Sequence, residues 1–330
     1  VVKIVWLARS LRDNLEAFDL LTERHKPTIG LCMGRFGLMS RVLAPKFGGL
    51  LTFAADRPAA GTAPGQPTLD DLNRLYRFAK IGRDTKVYGV IGWPAEHSKG
   101  PLLHNAAFDA VGHDGVYLPL PIPPEWEHFN ATVGAMVDHS RLDFRGASVT
   151  LPHKEHLLRF VRERGGVIDP LVDAIGAANT LVVDDDGTLH ALNTDAPAAI
   201  EALCNGMNTR PADLAGTRAA VVGAGGAARA IVAGLVAHGV KVVVSNSSRD
   251  RAEALATDFH GRQFGNAPAA HVVVGEHDAL GCGCFPIMIN ATSIGMADGP
   301  APDENPFEAF TGGDDVPLDE PGDVAGDDVE

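Results

Sequence analysis

The chain has 330 residues, 45% hydrophobic and 21% charged, with a formal net charge of −14. At roughly 150 residues per domain this length argues for about two domains, and the composition excludes wholesale disorder. No run approaches the ~18 apolar residues of a membrane span, no basic-then-apolar leader opens the sequence, and the sparse cysteines exclude a disulfide scaffold and fit a reducing, cytoplasmic setting.

Val1 already stands inside an apolar run, so the sequence reads as beginning partway through a longer protein. Residues 1–8 read as a buried strand, 13–25 as a helix with Asp13 near its cap, and 27–34 as a second strand. A helix over 36–48, effective to about Pro45, a third strand over 50–55, a Gly/Pro-rich loop over 56–68 and a helix over 68–79 complete three βα units. Such alternation implies a parallel sheet, yet three units cannot close an eight-stranded barrel. This segment is expected to be a remnant of one.

Alternation resumes near Lys86 with the strand VYGVIGW. A helix over 98–111 follows, with Leu102, Leu103, Ala106, Ala107 and Ala110 at helical spacing as its expected buried face. GVYLPLPI, RGASVTLP and the pair NTLVVDD and TLHALNTD supply further strands, the pair joined by a hairpin turn at Asp185, Asp186 and Gly187. From Thr217 the pattern becomes strand, Gly-rich turn, helix, strand, and PIMINATSIGM adds a late strand. Residues 303–330 then hold 11 of the 42 acidic residues, and no Lys or Arg follows Arg262. The tail reads as disordered, and the rest of the chain is nearly neutral. With no basic stripe, a nucleic-acid partner is not expected.

The strongest local signal is VVGAGGAARA over 221–230. An apolar strand runs into Gly223, Ala224, Gly225, Gly226 and Ala227 and then directly into an Ala-rich helix. Glycines let the backbone turn tightly and approach a pyrophosphate whose charge rests on the helix N-terminus; a purely structural turn is the alternative. The next strand ends in Ser245, Asn246, Ser247 and Ser248, then Arg249 and Arg251. Hydroxyls and guanidiniums suit a ribose 2′-phosphate, so NADP is favoured over NAD; a solvated helix start is the alternative. Lys154 stands past one strand end and Asp195 at another. A carbonyl–alcohol redox step needs a hydride carrier and a proton donor at the carbonyl oxygen, which a lysine near a carboxylate supplies. On spacing alone, a surface lysine and a capping aspartate are the favoured reading.

Across residues 86–296, IGWPAEHSKGPLLHNAAF, GASVTLPHKE, GAANTL, NTD, GAGGAARA and NATSIGM stand in the order and spacing of the shikimate dehydrogenase family, which this region resembles. The resemblance implies a mechanism and a set of contacts. Lys154 and Asp195 become the catalytic pair, Lys154 relaying the proton and Asp195 orienting it and the substrate hydroxyl. Ser98 becomes the first serine of a carboxylate-binding Ser-x-Ser, with Thr150 and Asn179 as further substrate contacts. Gly223 to Ala227 form the phosphate loop, Asn246 to Arg251 the 2′-phosphate clamp, and Thr292 and Ser293 the loop near the nicotinamide. The implied reaction is NADPH-dependent reduction of 3-dehydroshikimate to shikimate, in the cleft of a substrate-binding α/β domain over 86–200 and a Rossmann-type NADP domain over 201–300.

Three departures from the family pattern carry expectations. The second serine is Gly100, which removes a hydroxyl and opens space, so the pocket is expected to tolerate quinate. Ser247 stands where the family usually has Arg, leaving the phosphate to Arg251 with Arg249 and relaxing the preference for NADP. The family's closing strand, Gly-rich turn and Gln-bearing helix are replaced by the acidic tail of 301–330, which leaves the nicotinamide side exposed and keeps open the alternative of a non-catalytic NADP-binding fragment.

Residues 1–80 resemble the C-terminal end of type I 3-dehydroquinate dehydratase. The resemblance makes Lys3 the Schiff-base lysine and assigns Arg41, Thr62 and Gln66 to substrate; an amine condensed with a ketone acidifies the neighbouring C–H for elimination. The family's catalytic histidine and acidic residues belong to strands outside this sequence, so no dehydratase turnover is expected of it. Cys282 and Cys284, near His271 and His277, have poor ligand spacing, and no metal is expected. His153 reads as incidental beside Lys154.

Overall fold

The computed structural model describes residues 1–57, 61, 63, 65–264, 267–275, 285–296 and 301–307. The chain divides into two compact units, Val1–Thr194 and a second that begins at Asp195.

The first unit opens with β1 (Val2–Leu7), α1 (Asp13–Thr22), β2 (Thr28–Met33) and α2 (Leu38–Val42), β1 and β2 pairing in parallel. Four strands then lead into a hairpin: β3 (Lys86–Gly92), β4 (Gly115–Pro121), β5 (Phe144–Val149), β6 (Val167–Ile168), β7 (Thr180–Val183) and β8 (Leu189–Leu192). They form one mixed sheet in the order β4-β3-β5-β7-β8-β6. β3 is parallel to both neighbours, and β7 runs antiparallel to β5 and β8. Between them lie α3 (Gly100–Val111), α4 (Trp126–Asp138), α5 (Lys154–Glu163) and α6 (Pro170–Ile175). The β7–β8 turn is as the sequence predicts, with Gly187 in the left-handed region at φ +86°.

The second unit carries α7 (Asp195–Met207), β9 (Arg218–Val222), α8 (Gly226–Ala237), β10 (Lys241–Ser245), α9 (Arg249–Phe259), β11 (Val272–Val274) and β12 (Ile287–Asn290). Its four strands are all parallel, in the order β11-β10-β9-β12. Burial on both faces explains the continuous valine and alanine runs of β9 and β10. No helix among the described residues is long and apolar enough to cross a membrane.

Four local expectations are corrected. Residues 50–55 form no strand: Leu50 and Ala55 each donate a single backbone bond to a different neighbour, and only an isolated Ala55–Thr68 bridge appears. A strand needs a continuous partner, and none lies beside it among the described residues. The helix expected over 36–48 stops at Val42, ahead of Pro45, whose ring disfavours helical geometry in the residue before it. The helix expected over 68–79 is broken into a π-type turn at Asp71–Leu75 and a 3₁₀ turn at Phe78–Lys80, separated by Arg77 at φ +57°. That backbone places the Arg77 guanidinium 2.8 Å from the Gly115 carbonyl and in an ion pair with Asp109. Finally, the apolar stripe of α3 faces outward, with Leu102 and Leu103 64% and 67% exposed. The helix is pinned by Asn105 instead, whose amide exchanges two 2.8 Å bonds with the Tyr117 backbone.

The N-terminal segment and the six-stranded sheet share one core. Phe18, Leu21, Leu43 and Phe47 belong to the same buried cluster as Val87, Val116, Phe129 and Phe160. Phe18 stacks on Phe47 at 4.0 Å, and His139 meets both rings edge-on.

Candidate functional site

In the first unit, the ends of β3, β5 and β8 and the start of β7 meet at one edge of the sheet. Beyond β3, the Trp93 N–H donates to Leu151 at 3.0 Å, and the Thr150 N–H donates to Ile91 at 2.9 Å. The approach is close: a Cβ on Gly92 would lie 2.6 Å from Cγ2 of Thr150. Ser98, half-buried, accepts from the Gly100 N–H at 3.1 Å as α3 begins. Lys154 is the first residue of α5, and its carbonyl accepts from Ala178 at 2.9 Å. Asn179 bonds both neighbours of β7: its carbonyl accepts from Val149 at 2.7 Å, and its N–H donates to Leu192 at 3.0 Å. Its side chain is equally fixed, donating to the Thr194 hydroxyl and accepting from the Thr194 N–H, each at 2.9 Å. Ser98, Thr150, Lys154 and Asn179 are thus brought to one sheet edge. Asp195 follows Thr194 directly and opens α7.

The space expected beside Gly100 is filled. A Cβ there would lie 3.1 Å from Cε1 of Tyr117 and 3.2 Å from the Ser98 hydroxyl, so a serine would press on the tyrosine ring. Glycine removes a hydroxyl at this position without leaving a hole.

Two features that the sequence pattern does not single out support this edge. Arg35, from the N-terminal segment, lies 3.9 Å over the Trp93 ring and forms a two-pronged ion pair with Glu96, its second contact at 3.1 Å. Phe36 stacks on the same indole at 6.2 Å. Burial opposes ionisation of Glu96, yet its hydrogen bonds from Arg35 hold the carboxyl below its usual range. The loop that carries Ser98 is therefore gripped from outside the sheet. His153, fully buried beside Lys154, is the second feature, bonding the Ile122 carbonyl at 2.8 Å. Neither partner is near in sequence, so no local motif announces them.

In the second unit, β9 leads into Gly223, whose φ of +119° and 2.8 Å approach of a Cβ to the Ala291 carbonyl admit only glycine. Gly225 caps α8 with nothing within 4 Å of an added Cβ, so the N-terminus of a twelve-residue helix is open to a ligand. Gly223, Ala224, Gly225, Asn246, Ser247, Arg249, Arg251, Thr292 and Ser293 line a cavity of about 750 Å³ at the carboxyl ends of the parallel strands. Gly226 and Ala227 form the first turn of α8, and Ser248 precedes α9. The Asn246 amide donates to the Ser248 carbonyl at 2.9 Å, holding the turn after β10. Arg249 pairs with Glu253 at 2.7 Å, whereas Arg251 has no ion-pair partner among the described residues. Asn290 organises the opposite wall: its side-chain oxygen accepts from the Thr292 N–H at 2.9 Å and hydroxyl at 2.6 Å, and its amide donates to Ile294 at 2.9 Å. This donor set, an open helix N-terminus facing hydroxyls and an unpaired guanidinium, fits a phosphorylated dinucleotide.

In the N-terminal segment, Lys3 lies on exposed β1 with its ammonium 4.5 Å over the Phe53 ring. Arg41 on α2 is 2% exposed, its Nε unpartnered among the described residues, and burial lowers its pKa. Gln66 stands after the loop. Thr62, Cys282, Cys284, His277 and most of the acidic tail lie outside the described residues.

A parallel nucleotide-type sheet with a strand–glycine turn–helix, joined to a mixed-sheet unit with a polar edge, defines a two-unit dinucleotide-binding α/β protein. The shikimate dehydrogenase (NADP(+)) of Paramagnetospirillum magneticum is 42% identical over 212 residues, covering 64% of this chain and 70% of that protein. The chain belongs to the shikimate dehydrogenase family. Residues 90–181 match the shikimate dehydrogenase substrate binding domain, 207–279 shikimate / quinate 5-dehydrogenase, and 1–83 type I 3-dehydroquinase. A bifunctional 3-dehydroquinate dehydratase/shikimate dehydrogenase of Arabidopsis thaliana is 39% identical over 306 residues, 90% of this chain. The chain spans 48% of that relative's length. The crystal structure of shikimate dehydrogenase from Aquifex aeolicus matches with a TM-score of 0.57 and 27% identity, over 69% of this chain and 75% of that one.

Proposed function

We propose that this chain catalyses the NADP-linked interconversion of 3-dehydroshikimate and shikimate. In this reading residues 1–80 are the C-terminal part of a dehydratase barrel, 86–200 the substrate-binding domain and 201–300 the dinucleotide-binding domain. NADP, when bound, supplies or accepts the hydride. Lys154 gives the proton to the carbonyl oxygen in reduction and takes it from the hydroxyl in oxidation, while Asp195 orients that hydroxyl. Ser98 holds the substrate carboxylate, and Thr150 and Asn179 hold ring hydroxyls. Gly223 to Ala227 seat the pyrophosphate, Asn246 to Arg251 the 2′-phosphate, and Thr292 and Ser293 border the nicotinamide. The convergence of Ser98, Thr150, Lys154 and Asn179 on one sheet edge, in a chain of this family, is the observation that carries the reading.

A second reading, oxidation of quinate, rests on the hydroxyl that Gly100 removes and not on added room, since Tyr117 and Ser98 already crowd that position. Quinate bears an extra hydroxyl on the carboxylate-bearing carbon, and Gly100 offers no competing hydroxyl there. Both readings are tested by NADP⁺ reduction at about 340 nm, with shikimate and with quinate, on wild type and Lys154→Ala. Shikimate turnover that falls by about a thousandfold or more in the variant supports the first; quinate turnover at a comparable rate supports the second. Absence of turnover with both substrates overturns both.

A further inference from the structure

On the seam between the N-terminal segment and the six-stranded sheet lies a cavity of about 690 Å³. It opens at the starts of β3 and β5, whereas Ser98, Thr150 and Lys154 follow their far ends. The seven residues of β3 set the two regions about 20 Å apart. The cavity wall carries four basic side chains, Arg24, Lys46, Arg83 and Arg141, against two carboxylates, Asp84 and Asp143. Asp143 is already held by Arg145. Among the described residues none of the four cations has a carboxylate within 4.0 Å. In a chain of 42 acidic and 28 basic residues, that is not for want of acids.

Lys46 is the telling member. It is 6% exposed, and its ammonium donates to the carbonyls of Arg83 at 2.7 Å and Thr85 at 2.9 Å. An ammonium has three donors, so one remains, and no carboxylate lies within 4.0 Å of it among the described residues. Burial lowers its pKa, with Asp143, Asp84 and Asp114 acting in the other direction from a distance. Arg24 spends one nitrogen on the Leu21 and Phe47 carbonyls, at 2.6 and 3.2 Å. Arg83 and Arg141 are exposed at the rim with no ion pair among the described residues.

We propose that this cavity binds a small polyanion, a metabolite bearing two or more phosphate or carboxylate groups, separately from the dinucleotide cavity and from the edge that carries Lys154. The volume suits a molecule of metabolite size. Arg83 and Arg141 present planar donor forks matched to such groups, and Lys46 supplies a fixed charge at the wall. The ligand ties the N-terminal segment to the starts of β3 and β5, so binding stabilises the first unit. None of this depends on the dehydrogenase reading.

The test is thermal unfolding of the full chain against increasing pyrophosphate, and separately citrate, at constant ionic strength. A saturable rise in Tm is expected with at least one, and which anion acts distinguishes phosphate from carboxylate chemistry. Arg83→Ala/Arg141→Ala, changed only at exposed positions, is expected to weaken binding about a hundredfold, at about tenfold per lost charged contact. No saturable shift with either anion overturns the proposal. So does an equal shift in wild type and the double variant, which puts the anion elsewhere, such as the glycine turn at 223–227.

Discussion

Nδ1 of His153 lies 3.1 Å from Nδ1 of His156, so one ring donates a proton to the other. The direction is fixed by a third atom. Nε2 of His153 sits 2.8 Å from the Ile122 carbonyl, which can only accept. Nε2 therefore carries the hydrogen, His153 Nδ1 accepts, and His156 Nδ1 donates. Both rings are neutral in this arrangement. Protonating His153 would put a hydrogen on its Nδ1, so His156 would have to move its own hydrogen to Nε2 and accept instead, at the start of the helix that Lys154 opens.

Burial lowers the pKa of both histidines below the ordinary 6.5. An unfolded chain binds protons as pH falls through about 6.5, whereas the folded chain resists them, so stability is full above that pH and is lost below it. His104 and His271, lowered in the same direction, add to the slope. His153→Phe is expected to flatten part of the fall in Tm between about pH 7 and 5. It should also lower stability at pH 8 by about 1–3 kcal/mol, because the Ile122 carbonyl loses its partner. Calorimetry across a pH series checks this, and an unchanged slope would count against the pairing.

Arg35 predicts a dependence of substrate binding on the N-terminal segment. An exposed ion pair and a cation–π contact together contribute on the order of 1 kcal/mol. Arg35→Ala is therefore expected to raise KM for shikimate about threefold to tenfold with kcat little changed, because it loosens the Ser98 loop and leaves Lys154 untouched. Equal losses in kcat and kcat/KM would mean that Arg35 acts on the chemical step instead.

Arg251 predicts cofactor preference. As the clamp guanidinium with no ion pair among the described residues, it is expected to supply most of the contact to the 2′-phosphate. Arg251→Ala should raise KM for NADP by about tenfold to a hundredfold and leave NAD kinetics unaffected. Arg249→Ala should do less, since that guanidinium already pairs with Glu253. Steady-state kinetics with both dinucleotides decide between them.

Features that depend on neighbours in sequence were legible. The β9–Gly223–α8 turn and the Gly187 hairpin follow from local pattern and turn chemistry, whereas the family resemblance alone points to Thr150 and Asn179. What failed depended on distant partners. Residues 50–55 have strand composition but no continuous ladder. Leu102 and Leu103 have helical spacing, yet the face that anchors α3 is set by Asn105, which binds a strand twelve residues on. Arg35 meets Glu96 across 61 positions, and His153 meets Ile122 across 31. Residue type carries no trace of such pairings.

The shared core governs where the chain can be divided. Family boundaries put a joint near residue 83, but the physical joint is elsewhere. Lys46 bonds residues on both sides of it, at Arg83 and Thr85, and Arg77 reaches across to Gly115. Residues matched to two different families thus share one buried cluster. A break engineered at that joint would strip the cover from one continuous apolar interior, so the first unit is expected to lose stability as a whole.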